Sequence, residues 1–185
     1  YIPLRYKSRK DKNPPIIAIC DISGSMSRYS RMLLHFMHVL TTLRNDVHTF
    51  LFGTRLTNVT RFLRFKDVDE ALAATSSAVE DWSGGTRIGD CLKDFNFNWS
   101  RRVLGPGAIV LFITDGLDRG GGIGLSKQIK LIQKSSKRLI WLNPLLRYEE
   151  FAPKPTGVKA ILPHVDEFRP IHSLESMDQL VNALS

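Results

Sequence analysis

The sequence predicts an α/β fold, an open and mostly parallel sheet covered by helices on both faces. Two observations predict it. Residues 16–20 and 108–114 are apolar runs without alternation, the pattern of strands buried on both sides. Amphipathic stretches with helical spacing alternate with such runs along the chain. Right-handed crossovers then restrict the ways the strands can be joined.

Taken in order, the run 16–20 follows Pro14-Pro15. Residues 28–44 place Leu33, Phe36, Met37, Leu40 and Leu43 on one helical face. Residues 47–52 predict a second strand, closed by Gly53. Residues 56–62 predict a third, a hairpin partner of the second because the connection is too short for a crossover helix. Residues 68–79 and 88–99 predict helices on either side of the loop Ser83-Gly84-Gly85-Thr86. Gly105-Pro106-Gly107 marks a turn before 108–114, the strongest strand signal in the chain. A helix is expected over 125–136, and a strand over 139–142 that stops at Asn143-Pro144. Residues 148–157 are rich in proline and read as irregular, and 158–162 read as a last strand. Ser173 is placed to cap a final helix through Leu184, with Ser176 standing where a full capping box has an acid.

The chain has 185 residues, enough for one domain with a substantial core. Residues 1–13 form a basic N-terminal segment with Arg5, Lys7, Arg9, Lys10 and Lys12, and 14–185 form the domain. No apolar stretch approaches the roughly 20 residues of a membrane-spanning helix, and no long apolar run beside the basic residues suggests a secretory signal. Cys20 and Cys91 form no paired motif and read as small buried thiols of a reducing, cytoplasmic setting. The formal net charge of +8 favours acidic partners, whether protein, nucleic acid or anionic lipid, without choosing among them.

Ligands of open α/β sheets bind beyond the carboxyl ends of the strands, and oxygen donors gather there. Asp21-Ile22-Ser23-Gly24-Ser25 follows the first strand and offers a carboxylate and two hydroxyls on alternate residues. Asp115 follows the strongest strand, and Thr86 lies in a Gly-Gly-Thr loop able to reach the same edge. Such hard donors suit one Mg²⁺ ion, or Mn²⁺ or Ca²⁺, whereas zinc or copper prefers imidazole or thiolate. The plainer reading is that Asp21 and the serines only cap the first helix and that Asp115-Gly116 is only a turn.

Enzyme signatures are missing. The run Gly120-Gly121-Gly122-Ile123-Gly124 lacks the lysine of a phosphate-binding loop, and no G-x-S-x-G elbow is present. Ser23 stands where a phosphotransferase aspartate would want a second carboxylate. No general base or nucleophile accompanies the oxygen donors, so no enzyme is expected. His164, Asp166 and His172 as a second metal site, and Trp82 as a partner contact, are weaker readings than packing and surface roles.

The pattern Asp21-x-Ser23-x-Ser25, then Thr86, then Asp115 resembles the metal-ion-dependent adhesion site (MIDAS) of von Willebrand factor type A domains. Longer phrases starting at Asp21 (DISGSMSRYS), Phe52 (FGTRLT), Asp81 (DWSGGTRIG), Thr114 (TDGLDR), Leu139 (LIWLNP) and Leu162 (LPHVD) are similar to the CoxE-like branch, named for a carbon monoxide dehydrogenase accessory protein. The resemblance implies a Rossmann-like domain over 14–185 with one antiparallel edge strand. It implies a protein-binding module in which Asp21, Ser23, Ser25, Thr86 and Asp115 hold the ion and a partner protein supplies an acidic residue to it. It also implies work with a MoxR-type AAA+ ATPase on a client metalloenzyme, in maturation or metal insertion. If the hydroxyls bind the ion directly and the aspartates act through water, the ion stays electrophilic toward an outside acid. The alternative from another class is a basic nucleic-acid-binding module on the same fold, whose affinity would fall steeply with salt and survive chelation.

Overall fold

The computed structural model describes residues 13–82, 84–147 and 156–184. The basic residues of the N-terminal segment and most of the proline-rich stretch read as irregular lie outside them. The elements are β1 (Ile16–Asp21), α1 (Ser27–Leu43), β2 (Val47–Phe52), β3 (Leu56–Asn58), α2 (Thr60–Leu63), α3 (Val68–Ala78), α4 (Ile88–Asp94) and α5 (Ser100–Val103). There follow β4 (Ile109–Ile113), α6 (Leu125–Ser135), β5 (Arg138–Asn143), α7 (Thr156–Ile161), β6 (Glu167–Pro170) and α8 (Leu174–Leu184). The six strands form one sheet in the order β3-β2-β1-β4-β5-β6. Every pairing is parallel except β2 with β3, so the antiparallel edge strand is where the short connection predicts it.

The central strands are buried from end to end, which is why their sequences do not alternate. Apolar residues pack on both faces. Leu33, Met37 and Leu40 of α1 cover one, with Ala18 and Leu111 of the sheet. Leu92 of α4, Phe95, and Ile129 and Ile132 of α6 cover the other, with Ile17, Phe50 and Val110. Cys20 faces the first layer and Cys91 the second. Both are free and buried; burial pushes the Cys20 thiol well above its usual range and the Cys91 thiol up to about 12. No helix among the described residues is long and apolar enough to cross a membrane.

Four details depart from the sequence reading. Leu43, grouped with the buried face of α1, is 74% exposed; as the last residue of the helix it reaches past the layer into a groove with Val39, Met177 and Val181. The third strand stops at Asn58, whose side-chain oxygen accepts from the Thr60 amide and hydroxyl and turns the chain into α2. The helix from Ile88 does not end at Trp99 but continues through a π-turn at Phe95–Trp99 into α5. Residues expected to form the last strand instead lie in α7, which buries Val158 and Ile161 at helical spacing. The last strand is β6, whose half-buried, charged residues gave no strand signal. It is fixed by Glu167, which accepts from Arg138 on β5 and from Arg169, while Arg138 also donates to the Ala183 carbonyl of α8 at 2.9 Å.

At the start of α8 the Ser176 amide donates to the Ser173 hydroxyl at 3.3 Å, and the Ser173 amide donates back to the Ser176 hydroxyl at 3.0 Å. A serine thus serves in the place of the expected acid.

α7 is held close under the turn after β4. A Cβ at Gly157 would lie 2.2 Å from the Gly116 carbonyl oxygen, a backbone atom that cannot step aside. Gly157→Ala should therefore destabilise the fold by about 2–3 kcal/mol, since overpacking outweighs the ~1 kcal/mol gain in helix propensity. Gly105→Ala, where the added carbon makes an ordinary 3.6 Å contact with Pro15, should leave the urea midpoint little changed.

Candidate metal centre

The strand order reverses between β1 and β4, which pair in parallel with Cys20 opposite Ile113. A crevice opens at such a switch point beyond the strand ends. Asp21 and Asp115 stand there, each only 1% exposed.

Asp21 ends β1 and folds back on the chain: its Oδ1 accepts from the Ser23 amide at 2.8 Å. Its Oδ2 accepts from the Thr114 hydroxyl at 2.7 Å. Burial raises the Asp21 carboxyl to about 6; the Ser23 and Thr114 hydrogen bonds oppose the rise and the Asp115 charge adds to it. Thr114 Oγ1 in turn accepts from the Gly116 amide at 3.1 Å, so one hydroxyl joins the two strand ends. Asp115 Oδ1 accepts from the Leu117 amide at 2.9 Å, whereas its buried Oδ2 has no hydrogen-bond partner among the described residues.

The hydroxyls lie in the loops above. Ser23 and Ser25 place their Oγ atoms 3.2 Å apart. Neither caps a helix: Ser23 makes no side-chain cap for the short turn Gly24–Met26, and α1 is preceded by Met26. The capping explanation of these residues therefore fails. Thr86 is 4% exposed, and its hydroxyl makes no hydrogen bond among the described residues. Ser23, Ser25 and Thr86 line one cavity of about 620 Å³ with Leu117, Asp118 and Arg119. The two aspartates thus sit at adjacent strand ends and the three hydroxyls border one space.

Side chains with no role assigned from sequence hold these loops in place. Asp81 Oδ2 accepts from the Thr54 amide and hydroxyl, at 2.5 and 2.6 Å, and from the Arg55 amide at 3.1 Å. This binds the start of the Thr86 loop to the β2–β3 turn. Burial acts to raise the Asp81 carboxyl, but these hydrogen bonds outweigh it and hold the group below its usual range. Asp118 accepts from the Ile88 amide through Oδ1 and from the Gly122 amide through Oδ2, each at 3.0 Å. The Arg119 amide donates to the Thr86 carbonyl at 3.0 Å, and the Gly24 amide to the Gly84 carbonyl at 3.3 Å. The signal for Asp118 and Arg119 lay in the phrase that begins at Thr114, but contacts across some 30 residues of sequence have no spacing rule.

Other candidates take structural places. His164 shares a 2.7 Å hydrogen bond with Ser126, and Asp166 accepts from the Leu139 amide at 2.7 Å. Trp82 packs against the α1-side core. Among the described residues no group of three or more His, Cys, Asp or Glu gathers as for a metal, so a cation site here must draw on hydroxyls.

Solved structures share this architecture. Proximal thread matrix protein 1 from the mussel byssus is 19% identical over 94% of this chain and 47% of that one, with a TM-score of 0.59. A further structure of that protein, at 17% identity and a TM-score of 0.57, has a zinc occupied MIDAS motif. An aerotolerance-related membrane protein from Bacteroides fragilis is 17% identical over 92% of this chain and 97% of that one, with a TM-score of 0.54. The pilus adhesin SpaC from Lactobacillus rhamnosus GG is 14% identical over 94% of this chain and 30% of that one, with a TM-score of 0.59. This chain spans about half the length of the mussel protein. Comparison with curated proteins found no match.

The sheet order and the antiparallel edge agree with the von Willebrand factor A class, to which the family match assigns the chain. Within that class, residues 1–177 match the family model described as VWA domain containing CoxE-like protein, and the chain belongs to that family.

The raised Asp21 carboxyl sets the sign of a pH effect. Its pKa in the fold, about 6, exceeds the ordinary 3.8, so the folded state binds that proton more tightly than the unfolded chain. In metal-free protein this contribution is complete below pH 3.8 and is lost as pH rises through about 6. Asp21→Asn removes it, so in EDTA the variant should gain stability relative to wild type between pH 4.5 and pH 7.5. A difference in urea midpoint that stays flat with pH would count against this placement of the charge.

Proposed function

We propose that this chain is a metal-dependent protein-binding module whose ion is held by Asp21, Ser23, Ser25, Thr86 and Asp115. The observation behind this reading is the buried, unpartnered Oδ2 of Asp115 beside a second carboxylate that burial has pushed up to about 6. Two buried acids at adjacent strand ends, without a cationic side chain paired to either among the described residues, are costly unless a cation joins them. The donor set fits a hard divalent ion, with two carboxylates and three hydroxyls.

When bound, such an ion would supply a Lewis-acid position for a carboxylate from outside. The chain's own residues do the rest. Thr114 and the Ser23 amide orient Asp21, the Leu117 amide orients Asp115, and Asp81 and Asp118 anchor the loops that carry the hydroxyls. Because the side chains of Ser23, Ser25 and Thr86 are neutral, the site offers at most two negative charges, which leaves appetite for a partner's acid. Membership of a family of interaction modules supports binding rather than catalysis.

Family membership supports the further reading that the partner is a MoxR-type AAA+ ATPase, acting with this module in the cytoplasm on a client metalloenzyme during maturation or metal insertion. The mussel protein's zinc is a reason to compare metals rather than assume Mg²⁺.

Titration calorimetry with Mg²⁺, Mn²⁺, Ca²⁺ and Zn²⁺ should show one site on the wild type. Thr86→Ala and Asp115→Ala should weaken it at least tenfold, on the order seen when residues that hold or orient a metal are lost, with the fold retained by circular dichroism. Co-purification with the MoxR-type ATPase of the same source should require the metal and fail in EDTA. Binding that ignores EDTA but collapses with added salt would instead favour nucleic acid or simple charge attraction.

A further inference from the structure

The Arg119 guanidinium occupies the same cavity as the three hydroxyls and takes no part in holding the fold. It lies flat against Gly85: a Cβ added there would meet its Cζ, Nε and Nη1 all at 2.6 Å. Equal distances to three atoms of the planar group mean that its face rests on the glycine. Gly85 has no left-handed φ, so the glycine is required for space and not for backbone conformation. The residue is exposed, and among the described residues its side chain makes no ion pair or hydrogen bond. Its neighbour Asp118 is spent on the Ile88 and Gly122 amides. The Arg119 amide is meanwhile tied to the Thr86 carbonyl, which fixes the root of the side chain to the loop bearing a candidate ligand.

A guanidinium held by its face keeps its N–H edges free, and that edge fits a carboxylate bidentately. We propose that Arg119 is a second anion-holding group of this cavity, so that the partner segment gripped here presents two acidic side chains. One acid belongs to the metal position and the other to Arg119; the inference rests on the metal-dependent reading for the first acid only. Gly85 is the shelf that positions the guanidinium, and the exposed Leu117 at the cavity wall offers apolar contact to the chain between the acids.

The test uses two tetrapeptide amides, one with a single glutamate and one with two, titrated into the Mg²⁺-loaded protein and followed by amide NMR shifts. The second glutamate should tighten binding to the wild type roughly tenfold, as expected for a charge-assisted bidentate pair. Arg119→Gln should erase that gain while Mg²⁺ affinity, measured separately, holds. Gly85→Ala should do the same with little loss of stability, because the added carbon displaces only the far end of a flexible side chain. Equal affinity of the wild type for both peptides, or a gain that survives Arg119→Gln, overturns the proposal. A gain that persists in EDTA yet vanishes in Arg119→Gln upholds Arg119 and sinks the metal reading. Binding lost in EDTA with the gain retained in Arg119→Gln does the reverse, and no binding of either peptide sinks both.

Discussion

Both oxygens of Asp21 are engaged, one by the Ser23 amide and the other by the Thr114 hydroxyl. The first bond turns the chain sharply out of β1. The second crosses to the end of β4, ninety-three residues later. Thr114 then holds the Gly116 amide, and Trp141 donates from β5 to the Thr114 carbonyl at 2.9 Å. The ends of β1 and β4 are thus coupled to each other and to the body of β5 through one small polar group of buried residues. Inside a sheet otherwise filled with apolar side chains, such bonds meet little competition from water, so their geometry is well determined.

Around this centre the loops are arranged by acids that bind amides. Asp81 grips the β2–β3 turn and Asp118 grips the start of α4 and the glycine run. The Asp81 bonds and the bond from Gly122 to Asp118 run between loops, so these segments can hold their shape although they have little regular structure. Gly116 adds a left-handed turn with φ of 79°, and a side chain there would strike Val158 and Trp141. The floor of the site is therefore set by close approach of backbone, and its walls by carboxylate anchors.

Much of this was legible in the sequence. Unbroken apolar runs gave β1 and β4, because burial on both faces removes alternation, and Asp21 and Asp115 could then be placed at their ends. The short interval after Phe52 gave the antiparallel turn-back. What escaped had weaker local signals. β6 is a short edge strand in which Glu167 pairs with Arg138 and Arg169 and one aromatic, Phe168, stacks on Trp141 of β5, so no apolar run marks it in the sequence. Residues Val158 and Ile161 look like strand positions until α7 is seen to bury both. The roles of Asp118 and Arg119 depend on contacts with Ile88, Thr86 and Gly85, and no periodicity in the chain announces such pairings.

The two thiols bear on how the molecule can be handled. Cys20 and Cys91 sit in separate apolar layers on opposite sides of the sheet, each with its proton held tightly. A maleimide or iodoacetamide reagent reacts with exposed thiolate, which neither supplies. A single cysteine introduced on the rim of the crevice would then be the preferred point of attachment for a fluorophore or spin label, and the native pair could stay in place.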